Sequence, residues 1–165
     1  NRFYNFLING LLFYVAYFFL YGYTLGSEST IELRIINIQV IISSIFLKII
    51  GFDVLHDGNI LSIRGCKPVA ITQGCNFFAY LNNFTFFFIS FPTFKNRMFK
   101  YIFLCLVYLS SAQILRIISF AICLKYFPNH WNVFHDYSSY LFYYPGTLAL
   151  WYFYSLKPNV SNSKY

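Results

Sequence analysis

Of the 165 residues, 58% are hydrophobic and only 10% charged, where a water-soluble domain carries roughly a quarter charged, so polar groups are too few to cover a surface facing water. The formal charge of +7 is spread over residues such as Arg2, Lys95, Arg97, Lys100, Lys157 and Lys164, which flank apolar runs and form no continuous basic face. That placement argues against a nucleic-acid partner and for a lipid bilayer, with one membrane-embedded domain over residues 1–156 and a polar cytoplasmic tail over 157–165.

Phe3 to about Tyr23 is a nearly unbroken apolar run, long enough for one span, and no cleavable leader pattern is visible, so it is expected to act as an uncleaved anchor. Ile31 to Ile50 is ambiguous, because long aliphatic stretches alternate with Glu32, Arg34, Asn37, Gln39, Ser43, Ser44 and Lys48. It reads either as a further span or as an amphipathic helix on the outer membrane surface. With the N-terminus inside, a span here would carry Lys95, Arg97 and Lys100 to the outer face, against the positive-inside bias, so the surface helix is the expectation. Gly51 to Gly74 has the punctuation of short strands: a turn at Asp57-Gly58-Asn59, an extended Ile60–Ile63, a turn at Arg64-Gly65 and an extended Val69–Thr72. A small extracytoplasmic β-hairpin is expected there, within an outer segment over residues 24–74.

Asn76 to Phe91 is the second expected span, ended by Pro92, and Phe99 to about Ile122 the third. Lys125 to Asp136 is expected to be an outer loop. Tyr137 to about Leu156 is the last span, with a kink at Pro145-Gly146. The fold class expected is therefore an all-α polytopic membrane protein with about four transmembrane helices, an interfacial helix and a hairpin, and with both termini cytoplasmic.

Few residues in this chain are suited to chemistry. Arg116 sits within an apolar segment, where an arginine costs about 2.5–3.5 kcal/mol at the bilayer centre, so it should face the bundle or a wet cavity and have partners. Cys75 follows Gly74 and precedes Asn76 at the first turn of an expected helix, where the helix dipole and backbone amides favour a thiolate. Cys105 and Cys123 read as inert core thiols, and Cys66 as a possible disulfide partner of Cys75 in an oxidising outer compartment. His135, followed by Asp136, lies just before the last span and could serve as a general acid or base, whereas His56 and His130 read as solvated. The span boundaries put Cys75, Arg116 and His135 at one depth near the outer face. One such histidine without a carboxylate cluster makes a metal site a poor reading, and no cofactor is expected.

At these residues the chain resembles the exosortase/archaeosortase family, in particular its short bacterial forms, by order of elements over roughly Thr30 to Trp151. Gly74-Cys75-Asn76 looks like the family's cysteine signature, Leu115-Arg116-Ile117 like its arginine signature, and His135 falls where the third catalytic residue is placed. The arginine signature usually carries Asn three residues earlier; here Gln113 keeps the amide on the same helical face as Arg116. The resemblance implies a cysteine protease or transpeptidase of the bacterial inner membrane that faces the periplasm. Its partners would be exported proteins bearing a C-terminal sorting signal (short motif, transmembrane helix, basic tail), cleaved and passed to another anchor. Cys75 would be the nucleophile, Arg116 the activating and oxyanion-stabilising cation and His135 the acid/base, with Gly74, Asn76 and Gln113 supporting them. The alternative from another class is a non-enzymatic membrane subunit or chaperone of a surface-export system. A small transporter is disfavoured, because the candidate charges gather near one face.

Overall fold

The computed structural model describes residues 2–24, 30–72, 77–90 and 95–156. In chain order these form α1 (Arg2–Thr24), α2 (Thr30–Ile49), β1 (Val54–Asp57), β2 (Ile60–Ile63), β3 (Val69–Ala70), α3 (Phe78–Ser90), α4 (Lys95–Tyr126), a 3-10 turn (Pro128–His130), α5 (Trp131–Phe142) and α6 (Tyr144–Ser155). The longest helix, α4, has 32 residues without a glycine or proline to interrupt it. At 1.5 Å per residue that is about 48 Å, enough to cross a bilayer and emerge on both sides.

α2 departs from the surface-helix expectation. It runs alongside α4 in the same direction: Ser43 Oγ donates to the Ile114 carbonyl at 3.4 Å, and just past the helix end Phe52 meets Tyr126 with ring centroids 6.5 Å apart. Its buried face holds Glu32, Gln39, Ser43 and Ser44 together with Ile36, Val40 and Leu47, while Ile38, Ile41, Ile45, Phe46 and Ile49 are exposed. A helix lying on a membrane needs a polar face towards water. Here Glu32, Gln39, Ser43 and Ser44 are buried, Ser43 against α4, and the outward side is mainly aliphatic, with Arg34 and Lys48 exposed towards its two ends. Among the described residues, two helices are long and apolar enough to cross a membrane, Thr30–Ile49 and Met98–Tyr126.

The expected hairpin is present and carries a third strand. β1 and β2 pair antiparallel from Val54↔Ile63 to Asp57↔Ile60 around Gly58-Asn59, where Gly58 takes a positive φ of 53°. β3 joins the other edge of β2 through Ile60↔Ala70 and Leu61↔Val69. The inward side chains Val54, Leu61, Ile63, Val69 and Ile71 pack on Ile36, Val40 and Leu47 of α2 and on Ile117, Ile118, Phe120 and Ala121 of α4. The sheet thus closes the end of the molecule at which α2 and α4 finish.

A second core is aromatic. Phe77, Phe84 and Phe88 pack with Cys105, Leu109 and Ala112 of α4 and with Tyr143 and Tyr154 from the last segment. That last segment is two 12-residue helices with Tyr143 between them, and the cause lies where the kink is expected. Pro145 has no N–H to give to the carbonyl four residues earlier. The Tyr108 hydroxyl then enters the ladder, donating to the Phe142 carbonyl at 2.7 Å and accepting the Gly146 N–H at 3.1 Å. Only glycine admits this approach, since a Cβ on residue 146 would fall inside the Tyr108 ring. The expected outer loop over Lys125–Asp136 is also corrected: after the turn at Pro128, α5 begins at Trp131, so His135 is helical. Trp131 and Phe134 draw this stretch inward by packing edge-on against Phe120.

Candidate functional site

The α4 residues Ala112, Gln113, Arg116, Ile117 and Phe120 share one inward side, spaced by three and four residues as a buried helical face requires, and all five are buried. Ala112 belongs to the aromatic core and Ile117 to the core beneath the sheet, so Arg116 stands where the two meet.

At 4% exposure the Arg116 guanidinium is deprived of bulk water, and the surrounding helices supply partners. Nε donates to Ser138 Oγ at 2.8 Å and a terminal nitrogen donates to the Tyr143 hydroxyl at 3.3 Å. The guanidinium carbon lies 4.9 Å from the centroid of the Phe120 ring and 5.5 Å from that of Tyr143, within cation–π range of both. Each hydrogen bond continues one step further. Ser138 Oγ donates to the His135 carbonyl at 2.8 Å, and the Tyr143 hydroxyl donates to Gln113 Oε1.

His135 reaches the same cluster by its ring. The imidazole stacks on Phe120 at 5.4 Å between centroids and 26° between planes, with Trp131 5.6 Å away. Its Nδ1 is 3.4 Å from Asp136 Oδ1, but that carboxylate is 73% exposed, so water screens the pair and its energy is small. Phe134, which meets Phe120 edge-on, also lines an open apolar recess of about 490 Å³ with Ser119, Ile122, Cys123, Phe127 and His130. The rings of Phe120 and Phe134 thus stand in series between the Arg116 guanidinium and this recess.

Gly74, Cys75 and Asn76 lie outside the described residues. Their described neighbours are informative. Ile71 is buried in the sheet-end core with Ile117 and Phe120, and Phe77 in the aromatic core with Ala112 and Tyr143. Arg116 and His135 are thus brought to one ring, Gln113 joins them through Tyr143, and the described neighbours of the cysteine run belong to the two cores that meet at Arg116. Cys66 is a free, half-buried thiol, and Cys105 and Cys123 are free and buried. Among the described residues no group of three or more His, Cys, Asp or Glu could hold a metal ion.

Two members of the cluster, Ser138 and Tyr143, are not among the residues expected from sequence. Ser138 lies one helical turn after His135, and that spacing is the one signal that could have found it. Tyr143 is one of 16 tyrosines and carries no local mark beyond its place two residues before Pro145. No protein-family model, curated protein or solved structure matches the chain.

Proposed function

We propose that the chain is a membrane-embedded cysteine peptidase or transpeptidase of the exosortase type, cleaving C-terminal sorting signals of exported proteins at the outer face of the bacterial inner membrane. The observation that carries this reading is the buried guanidinium of Arg116, tied to Ser138 and Tyr143 and sharing the Phe120 ring with His135. A chain seldom keeps an arginine at such a place for packing alone, since its desolvation is costly.

In this reading the Cys75 thiolate attacks the scissile carbonyl carbon of the substrate. The tetrahedral oxyanion is stabilised by the Arg116 guanidinium. Protonated His135 gives its proton to the leaving amine as the C–N bond breaks, which leaves the substrate acyl group on sulfur as a thioester. An amine or water then attacks the thioester, His135 takes the proton, and the thiolate departs. The half-exposed position of His135 suits exchange of that proton with solvent.

Sidedness follows from the charges. The Lys95-Asn96-Arg97 end of α4 lies inside, so the sheet, which sits at the other end of α4, lies outside with Asp53, Asp57 and His56. With α2 parallel to α4, this reading takes α2 across from inside to outside and α1 in from outside, which puts the N-terminus outside in place of the cytoplasmic N-terminus expected from sequence. This arrangement keeps the basic cluster inside while letting residues 31–50 span, which an N-terminus fixed inside does not allow.

The rival is a non-enzymatic membrane subunit of an export system, favoured by the completeness with which Ser138, Tyr143 and Phe120 accommodate Arg116 as a packing group. In-cell processing of an exported protein with a C-terminal sorting signal separates the two. Cys75→Ala, Arg116→Ala and His135→Ala should each leave the substrate full length while the variants still insert. Normal processing by an inserted Cys75→Ala chain would refute the enzyme reading.

A further inference from the structure

We infer that Tyr143 is a positioning residue, a side chain that fixes the Arg116 guanidinium relative to the helix that follows Cys75. The inference rests on the cysteine reading above. Tyr143 occupies the break between α5 and α6 and is fully buried. Its ring lies 4.5 Å from that of Tyr80, on the first turn of α3, and its hydroxyl reaches both Gln113 and Arg116 of α4. One residue therefore joins the helix beginning just after the cysteine, the helix carrying the arginine, and the segment carrying His135.

The direction of these hydrogen bonds matters as much as their number. A tyrosine hydroxyl has one proton to give. Here it goes to Gln113 Oε1, which turns the oxygen lone pairs of Tyr143 towards the Arg116 nitrogen. The second chain runs from Arg116 Nε through Ser138 Oγ to the His135 carbonyl. Two acceptors on different edges of a planar guanidinium hold both its position and its rotation, and one of them is tied to the backbone of the candidate acid/base. Gln113 takes part by orienting the phenol, which gives the residue that departs from the family's usual Asn a defined task.

The test reads the pH profile of Cys75 alkylation in the full-length chain, in lipid nanodiscs, with Cys66, Cys105 and Cys123 replaced by alanine. Tyr143→Phe keeps the ring against Tyr80 and removes only the hydroxyl. Its alkylation midpoint should rise by about one pH unit, with alkylation near pH 7 and substrate processing each slowed about tenfold. Ser138→Ala should move both in the same direction by less. If both variants keep the unmodified profile while Arg116→Gln shifts it, the positioning role is overturned and the cysteine reading stands. If Arg116→Gln leaves the profile unchanged as well, that reading falls and the inference with it. Should Tyr143→Phe fail to insert, Ser138→Ala and Gln113→Leu decide: unshifted profiles in both overturn the role.

Discussion

The two cores of this molecule solve the same packing problem with different materials. Beneath the sheet, aliphatic side chains from β1, β2, β3, α2 and α4 interdigitate, and β2 is paired along both of its edges. In the other core the packing is aromatic and the helices are short, so tyrosine hydroxyls close backbone gaps between them. Tyr108 bonds to the Phe142 carbonyl and Tyr154 to the Phe88 carbonyl. A carbonyl freed inside a packed core has no water to bond, which is why a broken helix there needs a partner side chain. Arg116 lies on the seam, steadied from the aromatic side by Tyr143 and adjoining the aliphatic side through Ile117 and Phe120. The lesson is a division of labour: one core supplies a rigid platform, the other the hydroxyls that a buried cation requires.

The contrast can be broken at graded cost. Leu61→Ala, at a fully buried point of the sheet, should lower stability by about 2–5 kcal/mol through loss of packing and a residual cavity, read as a large fall in the thermal midpoint of the purified chain. Gly146→Ala should cost about 1–3 kcal/mol, because Tyr108 must give up its place in the α5–α6 break. A Tyr108→Phe background would sharpen this result, since it should lower the stability of the parent while leaving the Gly146→Ala penalty, which comes from the ring. Tyr154→Phe removes one hydrogen bond to Phe88 and should cost about 1 kcal/mol, visible as faster hydrogen exchange at the end of α3. Arg64→Ala breaks only the exposed 2.8 Å pair with Asp53 and should change the midpoint by less than about 1 kcal/mol in equivalent stability. Equal penalties for Leu61→Ala and Tyr154→Phe would contradict the division between the two cores.

Much of the architecture was legible from residue order, and the failures have physical causes. Gly58 and Pro145 carry backbone consequences that sequence states outright, and both the hairpin turn and the helix break fall there. In α2, Glu32, Gln39, Ser43 and Ser44 read in sequence as a water-facing stripe, whereas in the fold these four are buried and the outward side is mainly aliphatic. The start of α5 is not legible in sequence because Pro128 reads as loop, while Trp131 and Phe134 are held inward by the Phe120 ring, a contact 11 to 14 residues away in sequence. At the site, Arg116 announces itself by its cost, and His135 by its position beside an apolar run. Tyr143 acquires meaning only from its three-dimensional neighbours, and Ser138 carries no mark beyond its place one helical turn after His135.

The central claim is that Cys75 acts as a nucleophile in concert with Arg116 and His135. Mass spectrometry of the intact chain, captured from cells that export a protein with a C-terminal sorting signal, tests it most directly. The account predicts a substrate-derived adduct on Cys75 that hydroxylamine releases, and its disappearance in Arg116→Ala. An unmodified Cys75 alongside full processing of that substrate by Cys75→Ala would contradict it.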